Sequence, residues 1–313
     1  MLRCTRRLMK ISTSVQSESH YCHPRGTRRW VHNVSDKELD EYRDSLKRFD
    51  SRAYVFQNIA LCKLRGKDQP TILTNKWPNF SCTAILQRQT NTPTRNKRYC
   101  RLQLLSDSEE EFGDFLHESK VLQEGAMIIA IDSVTNKHLD NVAKTIFPSW
   151  QKALPNHPLK IYYLDQVKDF PTKLDSKYFV DNLTPDHSDF IANYWTGISS
   201  DVTVLRKYFK HLVNVYTCTG VFKKSDPSYP VAWGVYGDFG IAIHLYTMPE
   251  YRREGLSFVV SRNLFAQLLE QGIIPVTRRH EDGSPVDEMF RRVMKLAADS
   301  IDRDSITGKR YNY

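Results

Sequence analysis

The residues best suited to chemistry lie between Ile241 and Ser257, in the run IAIHLYTMPEYRREGLS. An apolar strand ends at Pro249, a basic turn Arg252-Arg253-Glu254-Gly255 follows, and helical spacing takes over from Phe258 to Gln271. The first N–H groups of a helix have no partner within it, and the helix dipole adds partial positive charge there. A strand that delivers such a turn into a helix gathers those amides at one point, which is a seat for phosphate. Upstream, His244 and Tyr246 alternate to one face of the strand. An imidazole can take a proton near neutrality, and a phenol can give one. A packed or surface histidine and a core tyrosine are the competing readings. Cys218 is a candidate nucleophile, but no histidine or acid stands near it in the sequence, which favours a buried structural thiol.

The turn resembles the acyl-CoA loop of the GNAT acyltransferase superfamily, Arg/Gln-x-x-Gly-x-Gly/Ala after a strand with a proline-containing end. Arg252-x-x-Gly255-x-Ser257 matches two of its three fixed positions, and Ser257 is small but not glycine. Met248-Pro249-Glu250-Tyr251-Arg252 and the upstream run Lys76-Trp77-Pro78-Asn79-Phe80 narrow the resemblance to the glycine N-acyltransferase family. The resemblance implies acyl-CoA as co-substrate, no tightly bound cofactor and no metal. It also implies a small amine acceptor such as glycine or another amino acid. Amides from Arg253 to Ser257, with Arg252, Glu254 and Leu256 in the same loop, would hold the pyrophosphate. The edge Leu245, Tyr246, Thr247 would pair with the pantetheine arm, and a backbone N–H near Tyr246 would meet the oxyanion.

The elements that must position this loop follow from spacing. Ser35 with Glu38 three residues on predicts a capping box, and Leu39, Tyr42, Leu46 and Phe49 follow as a helical stripe. Short apolar runs at Tyr54–Ile59 and Thr83–Leu86, a strand face at Cys100, Leu102 and Leu104, and a helix after the acidic run Asp107–Glu111 come next. Strand Met127–Ile131, helix Asn136–Leu154 broken at Pro148 and strand Leu159–Leu164 complete an α/β layer. After a linker the chain starts afresh with strand Tyr178–Asn182, a helix start at Thr184 with Ile191, Tyr194 and Trp195 inward, and helix Val202–Leu212. Strands at Val213–Phe222, Val231–Tyr236 and Gly240–Thr247 follow, the last two joined at Gly237-Asp238. Strand Ile274–Thr277 and helix Val286–Ala298 come last.

The expected plan is an α/β (α+β) chain with a mixed, mainly antiparallel GNAT-like sheet flanked by helices. It divides into a tail (1–34), an amino-terminal α/β domain (35–165), a linker (166–177), the acyl-CoA domain (178–298) and a polar tail (299–313). The amino-terminal domain has a similar strand and helix mix and reads as a degenerate copy, although no residue-level repeat is visible. In the polar tail the closing strands of the fold are expected to be missing.

Composition narrows the function classes. The 313 residues suffice for two cores. Sixteen Tyr, 15 Phe and 5 Trp argue against disorder. Of the net charge of +9, six units sit in residues 1–30, where seven Lys or Arg face one acid, Glu18. The remainder has no basic stripe with interleaved aromatics, which argues against nucleic acid as a partner. The basic, Ser-rich start suits a mitochondrial transit peptide, or else a disordered tail in a cytoplasmic protein. No apolar run is long enough to span a bilayer. The six cysteines are scattered, with no CxxC, which fits reduced thiols rather than zinc.

One position departs from the resemblance. Counted back from Pro249-Glu250-Tyr251-Arg252, the glutamate base of the glycine N-acyltransferases falls on Ile241, which cannot take a proton. His244, three residues on, is the substitute candidate. The alternative is a protein that binds acyl-CoA without catalysis.

Overall fold

The computed structural model describes residues 31–67, 69–88, 100–122, 126–146, 159–167, 173–195, 201–280 and 285–304. The first 30 residues, read above as a transit peptide or tail, the expected break at Pro148 and the chain beyond Asp304 lie outside them.

The first half begins with β1 (His32–Asn33) and a short turn in which the Ser35 amide and hydroxyl both donate to Glu38, at 2.8 and 2.6 Å. This is the expected capping box. Helix α1 (Leu39–Ser45) then lays Leu39 and Tyr42 into the core, with Leu46 and Phe49 after it. The apolar run from Tyr54 forms α2 (Tyr54–Leu64), buried on most sides because it is apolar nearly all round. Strands β2 (Thr71–Thr74), β3 (Cys82–Arg88) and β4 (Cys100–Ser106) follow, then α3 (Glu109–Ser119), β5 (Ala126–Asp132), α4 (Ser133–Ile146) and β6 (Leu159–Tyr163). The Lys76–Phe80 run forms the β2–β3 turn, where Phe80 stacks against Tyr42 and Phe49 at 5.3 and 5.8 Å.

The second half repeats this order. It runs β7 (Tyr178–Asn182), α5 (Ser188–Ala192), α6 (Val202–Val215), β8 (Cys218–Lys223), β9 (Asp226–Tyr236), β10 (Ala242–Thr247), α7 (Leu256–Glu270), β11 (Val276–His280), α8 (Pro285–Val293) and β12 (Lys295–Asp304). Each half is therefore β-α-α-β-β-β-α-β-α-β. We propose these two repeats, residues 31–163 and 178–304, as the domains of the chain.

Four expectations are corrected. His32 and Asn33, assigned to the tail, pair with Thr74 and Leu73. The helix expected to run to Ala298 stops at Val293, and α6 extends through Val215 in place of the start of the predicted strand. The closing strand is present. β12 occupies 295–304, where alternation is too polar to announce a strand because the neighbours that cover it come from the other half.

All twelve strands among the described residues join one sheet, in the order β1-β2-β3-β4-β5-β12-β6-β11-β10-β9-β8-β7. The two halves exchange their last strands. β12 pairs with β5, β6 pairs with β11, and the two exchanged strands pair with each other at the centre. Exchange leaves neither half with a complete sheet of its own, and no open edge remains at the join.

A second lock comes from the turn between β9 and β10, which docks on the first half. Asn58 of α2 donates to the carbonyls of Gly240 and Ile274 at 3.0 and 2.7 Å and accepts from the Ile274 amide at 3.0 Å. Arg101 Nη1 meets both carboxylate oxygens of Asp238 at 3.1 and 2.9 Å, and Gln103 donates to the Phe239 carbonyl at 3.2 Å. The Arg101 side chain is only 4% exposed. Stripping a buried charge of its partner is far more costly than removing the pair. Asp238→Ala is therefore expected to lower stability by about 3 to 5 kcal/mol in denaturant unfolding. The double variant Arg101→Met/Asp238→Ala should recover much of that loss.

Candidate active site

β10 and β11 run parallel but share one registered pair, Ala242 with Thr277, where Thr277 Oγ1 donates to the Ala242 carbonyl at 3.2 Å. Beyond that pair they part. The cause lies in β10, whose register against β9 shifts between Ile243 and Tyr246, so that His244 and Leu245 together oppose Gly234. His244 takes a left-handed φ of 47°. A bulge of this kind bends a strand out of line with its neighbour. In the gap lies a cavity of about 150 Å³, lined by residues 241–245, by Ser261, Leu264 and Phe265 of α7, and by Thr277, Arg278 and Phe290.

The basic turn stands where the two strands have parted. After a single turn of 3-10 helix at Pro249–Tyr251, Arg253 and Gly255 take φ values of 67° and 76°, and Gly255 is the N-cap of α7. Gly255 has no side chain to cap the helix. The amides of Arg253, Glu254, Gly255 and Leu256 donate to no acceptor among the described residues, and positions 252–255 are exposed. The left-handed residues turn successive N–H groups toward one side, which makes a concavity for an anion. Ser257 sits half-buried in the first helical turn.

The side chains divide in their directions. Arg252 Nε donates to the Thr247 carbonyl at 3.2 Å, and its guanidinium lies 5.9 Å from the Tyr246 ring. Thr247 Oγ1 is buried without a partner. Glu254 is turned away from the amides, to Lys177 Nζ and the Tyr178 hydroxyl, both at 2.9 Å, and the resulting hydrogen bonds hold its carboxyl below the usual range. Its contribution to the seat is thus its amide, not its charge.

His244 is enclosed by aromatic rings. Trp195 stacks on it at 5.0 Å, and Phe209, Trp233 and Tyr246 pack around it at 5.2 to 6.0 Å. Trp233 Nε1 donates to Nδ1 at 3.3 Å. That bond requires a lone pair on Nδ1 and so assigns the ring proton to Nε2. Nε2 is buried and meets no acceptor in good hydrogen-bond geometry, although the Tyr194 backbone lies close enough to favour the charged ring slightly. Burial holds the imidazole down at about 3. A ring with its lone pair already engaged and a pKa this low is not equipped to be the base expected from the sequence, where the bond from Trp233 is not visible. Ile241, at the base position of the resembled family, is 2% exposed and packs in one cluster with Phe239 and with first-half residues such as Phe56 and Ile59. The Tyr246 hydroxyl has no hydrogen-bond partner among the described residues. Cys218 is buried, with its thiol pushed up to about 12, the opposite of what a nucleophile needs.

The equivalent corner of the first half is closed. Its α3 is capped by Ser108, whose hydroxyl accepts from the Glu111 amide at 3.3 Å, and the first turn is Glu109-Glu110-Glu111. Glu111 in turn accepts from Asn75 at 2.8 Å and also bonds Ser81 and Lys76. β4 and β5 pair only from Cys100 to Leu102, but their far ends are bridged: Thr135 Oγ1 accepts from the Ser106 amide at 2.9 Å, and Arg52 donates to Asp132 at 3.2 Å. Three carboxylates and a plugged gap leave no place there for a diphosphate.

Against known proteins, residues 218–294 match the family model described as FR47-like protein. The X-ray structure of a Drosophila protein shares the fold with a TM-score of 0.68 at 15% identity, covering 88% of this chain and 98% of that one. A tandem GNAT protein from the clavulanic acid biosynthesis pathway matches with a TM-score of 0.50 at 11% identity, over 87% of this chain and 96% of that one. The fold is a tandem GNAT fold. Its second half carries the family match and the open loop, and its first half, which lies outside that match, carries the closed one.

Two outcomes are expected. Gly255→Asp puts a carboxylate among the amides and should weaken coenzyme A binding by more than about 100-fold in calorimetry. Gly255→Ala meets no atom within 4 Å and costs only about 1 to 2 kcal/mol of left-handed strain. For His244, the folded pKa lies below the unfolded one, so the unfolded chain binds the extra proton as pH falls through 6.5 and stability is lost on the acid side. At pH 5 the wild-type chain should have lost roughly 2 kcal/mol relative to a His244→Phe variant, taking pH 8 as reference.

Proposed function

We propose that the chain is an acyl-CoA-dependent N-acyltransferase acting on a small amine. The observation that carries this reading is the exposed, uncapped start of α7 beside two strands that part after one residue pair. The diphosphate would sit on the amides of Arg253 to Leu256. The pantetheine arm would run between β10 and β11 along Leu245 to Thr247, and the thioester would reach the bulge. The FR47-like match over the same residues supports the class, and the resemblance at Met248–Arg252 points to glycine or another amino acid as acceptor.

In the reaction the amine nitrogen attacks the thioester carbonyl, the C–N bond forms, and the carbonyl carries the negative charge of the tetrahedral intermediate. A backbone N–H freed at the bulge near Tyr246 would stabilise that oxyanion. Collapse breaks the C–S bond, and the Tyr246 hydroxyl would supply the proton to the leaving thiolate. With Ile241 apolar and His244 engaged by Trp233, the acceptor would lose its proton to water in the cleft. Matrix localisation belongs to the same proposal, since acyl-CoA thioesters are made there.

The same two residues favour a second reading, an acyl-CoA-binding protein without turnover. Thiol release from acetyl-, benzoyl- and longer acyl-CoA over a panel of amines separates the two. The enzyme reading expects amine-dependent release, with Tyr246→Phe lowering kcat by roughly 10- to 100-fold at unchanged KM. Tight acyl-CoA binding with no release from any pair would establish the second.

A further inference from the structure

Beside the parted strands, two hydroxyls on one side of the sheet have nothing to bond. Ser261, in the second turn of α7, is 1% exposed and lines the cavity between β10 and β11, and its Oγ has no hydrogen-bond partner among the described residues. Thr247 Oγ1 is in the same condition. Thr247 registers with Ala232, two residues from Gly234, and a Cβ on Gly234 would point at Val260 and Leu264 of α7. Side chains two apart on a strand share a face, so the Thr247 hydroxyl stands on the α7 side of the sheet with Ser261. Thr74, Ser188 and Tyr236 also bury a hydroxyl without a partner, but none of them lines the cavity or follows the break in β10.

The fold gains nothing from either hydroxyl. A serine inside a helix commonly returns its proton to the carbonyl four residues back, which Ser261 does not do, and a buried hydroxyl left unpaired is destabilising. On the α7 and α8 side the cavity wall is otherwise apolar, formed by Leu264, Phe265 and Phe290. A single polar group on such a wall fixes the orientation of what the pocket holds. Thr277 Oγ1 is already committed to the Ala242 carbonyl, where the strands still pair, and marks the closed end of the path. A pantetheine arm supplies what Thr247 and Ser261 lack. It carries two amides, each with a donor and an acceptor, and a strand edge can satisfy only one side of an extended chain. The amide groups turned away from β10 would be buried in the cleft and in need of partners.

We propose that Ser261 is a coenzyme-positioning residue. Its hydroxyl donates to the carbonyl of the arm amide nearest the sulfur, beside the bulge. Thr247 meets the next amide, closer to the basic turn, where Arg252 holds the Thr247 carbonyl. Together the two hydroxyls set how far the arm enters the gap and so keep the thioester at the bulge. This deepens the site proposed above and rests on its placement of the diphosphate.

The test separates the arm from the loop. The full-length chain is titrated calorimetrically with coenzyme A and with adenosine 3′-phosphate 5′-diphosphate, its nucleotide half, which keeps the diphosphate and lacks the arm. Ser261→Ala and Thr247→Val should each weaken coenzyme A about 3- to 10-fold and leave the nucleotide half within about twofold of wild type. The melting temperature of the free chain should hold or rise in both variants, because each removes a buried hydroxyl that has no partner. Unchanged coenzyme A affinity in Ser261→Ala would overturn the inference. So would a lower melting temperature with both ligands weakened alike, the mark of a structural role. If Gly255→Asp still abolishes binding of the nucleotide half, the diphosphate seat survives either of those outcomes. A wild-type chain that binds neither ligand refutes the seat and the inference together.

Discussion

The site depends on one break in an otherwise continuous sheet. β10 and β11 hold together at Ala242 and Thr277 and then separate, because the bulge at His244 and Leu245 turns β10 out of register with its neighbour. A continuous ladder there would leave no cleft, and without a cleft the amides at the start of α7 would face a phosphate with nowhere to send its chain. The rest of the second half holds that break open. Trp233 fixes the ring of His244, whose positive φ is the strained point of the bulge, and the hairpin tip beyond Ile241 is clamped to the first half by Asn58, Arg101 and Gln103.

The first half shows the same plan with the opposite outcome. Its strands also part, but Thr135, Arg52 and Asp132 fill the gap, and the helix that would receive a phosphate is capped by Ser108 and lined with glutamates. Backbone geometry is retained and the electrostatics are reversed, so this half serves the other as a scaffold. It supplies β6 to the centre of the sheet and a polar socket for the hairpin. The exchange of β6 and β12 makes each half incomplete without the other, which ties the open cleft to the folding of residues more than a hundred positions away.

The local features were legible in the sequence because they rest on local physics. The capping box at Ser35, the helix start after Asp107, the strand ending at Pro249 and the uncapped turn at Gly255 each follow from a few neighbouring residues. What escapes the sequence is long-range. β12 reads there as the end of a helix and the start of a polar tail because its partners come from the first half, and the repeat is invisible at residue level because two copies with opposite charges at the same corner share topology rather than side chains. His244 is the instructive case. Its residue type and strand position suggested a base, but a bond from Trp233, eleven residues away, decides which nitrogen carries the proton.

The central claim is that main-chain amides from Arg253 to Leu256 grip a diphosphate while its chain runs between β10 and β11. A crystal structure of the chain with coenzyme A tests it most directly. Diphosphate oxygens should lie within hydrogen-bonding distance of those amides, with the thiol at the bulge beside His244. Coenzyme A seated at the Ser108 corner, or bound anywhere that leaves the gap beyond Ala242 and Thr277 empty, would contradict it.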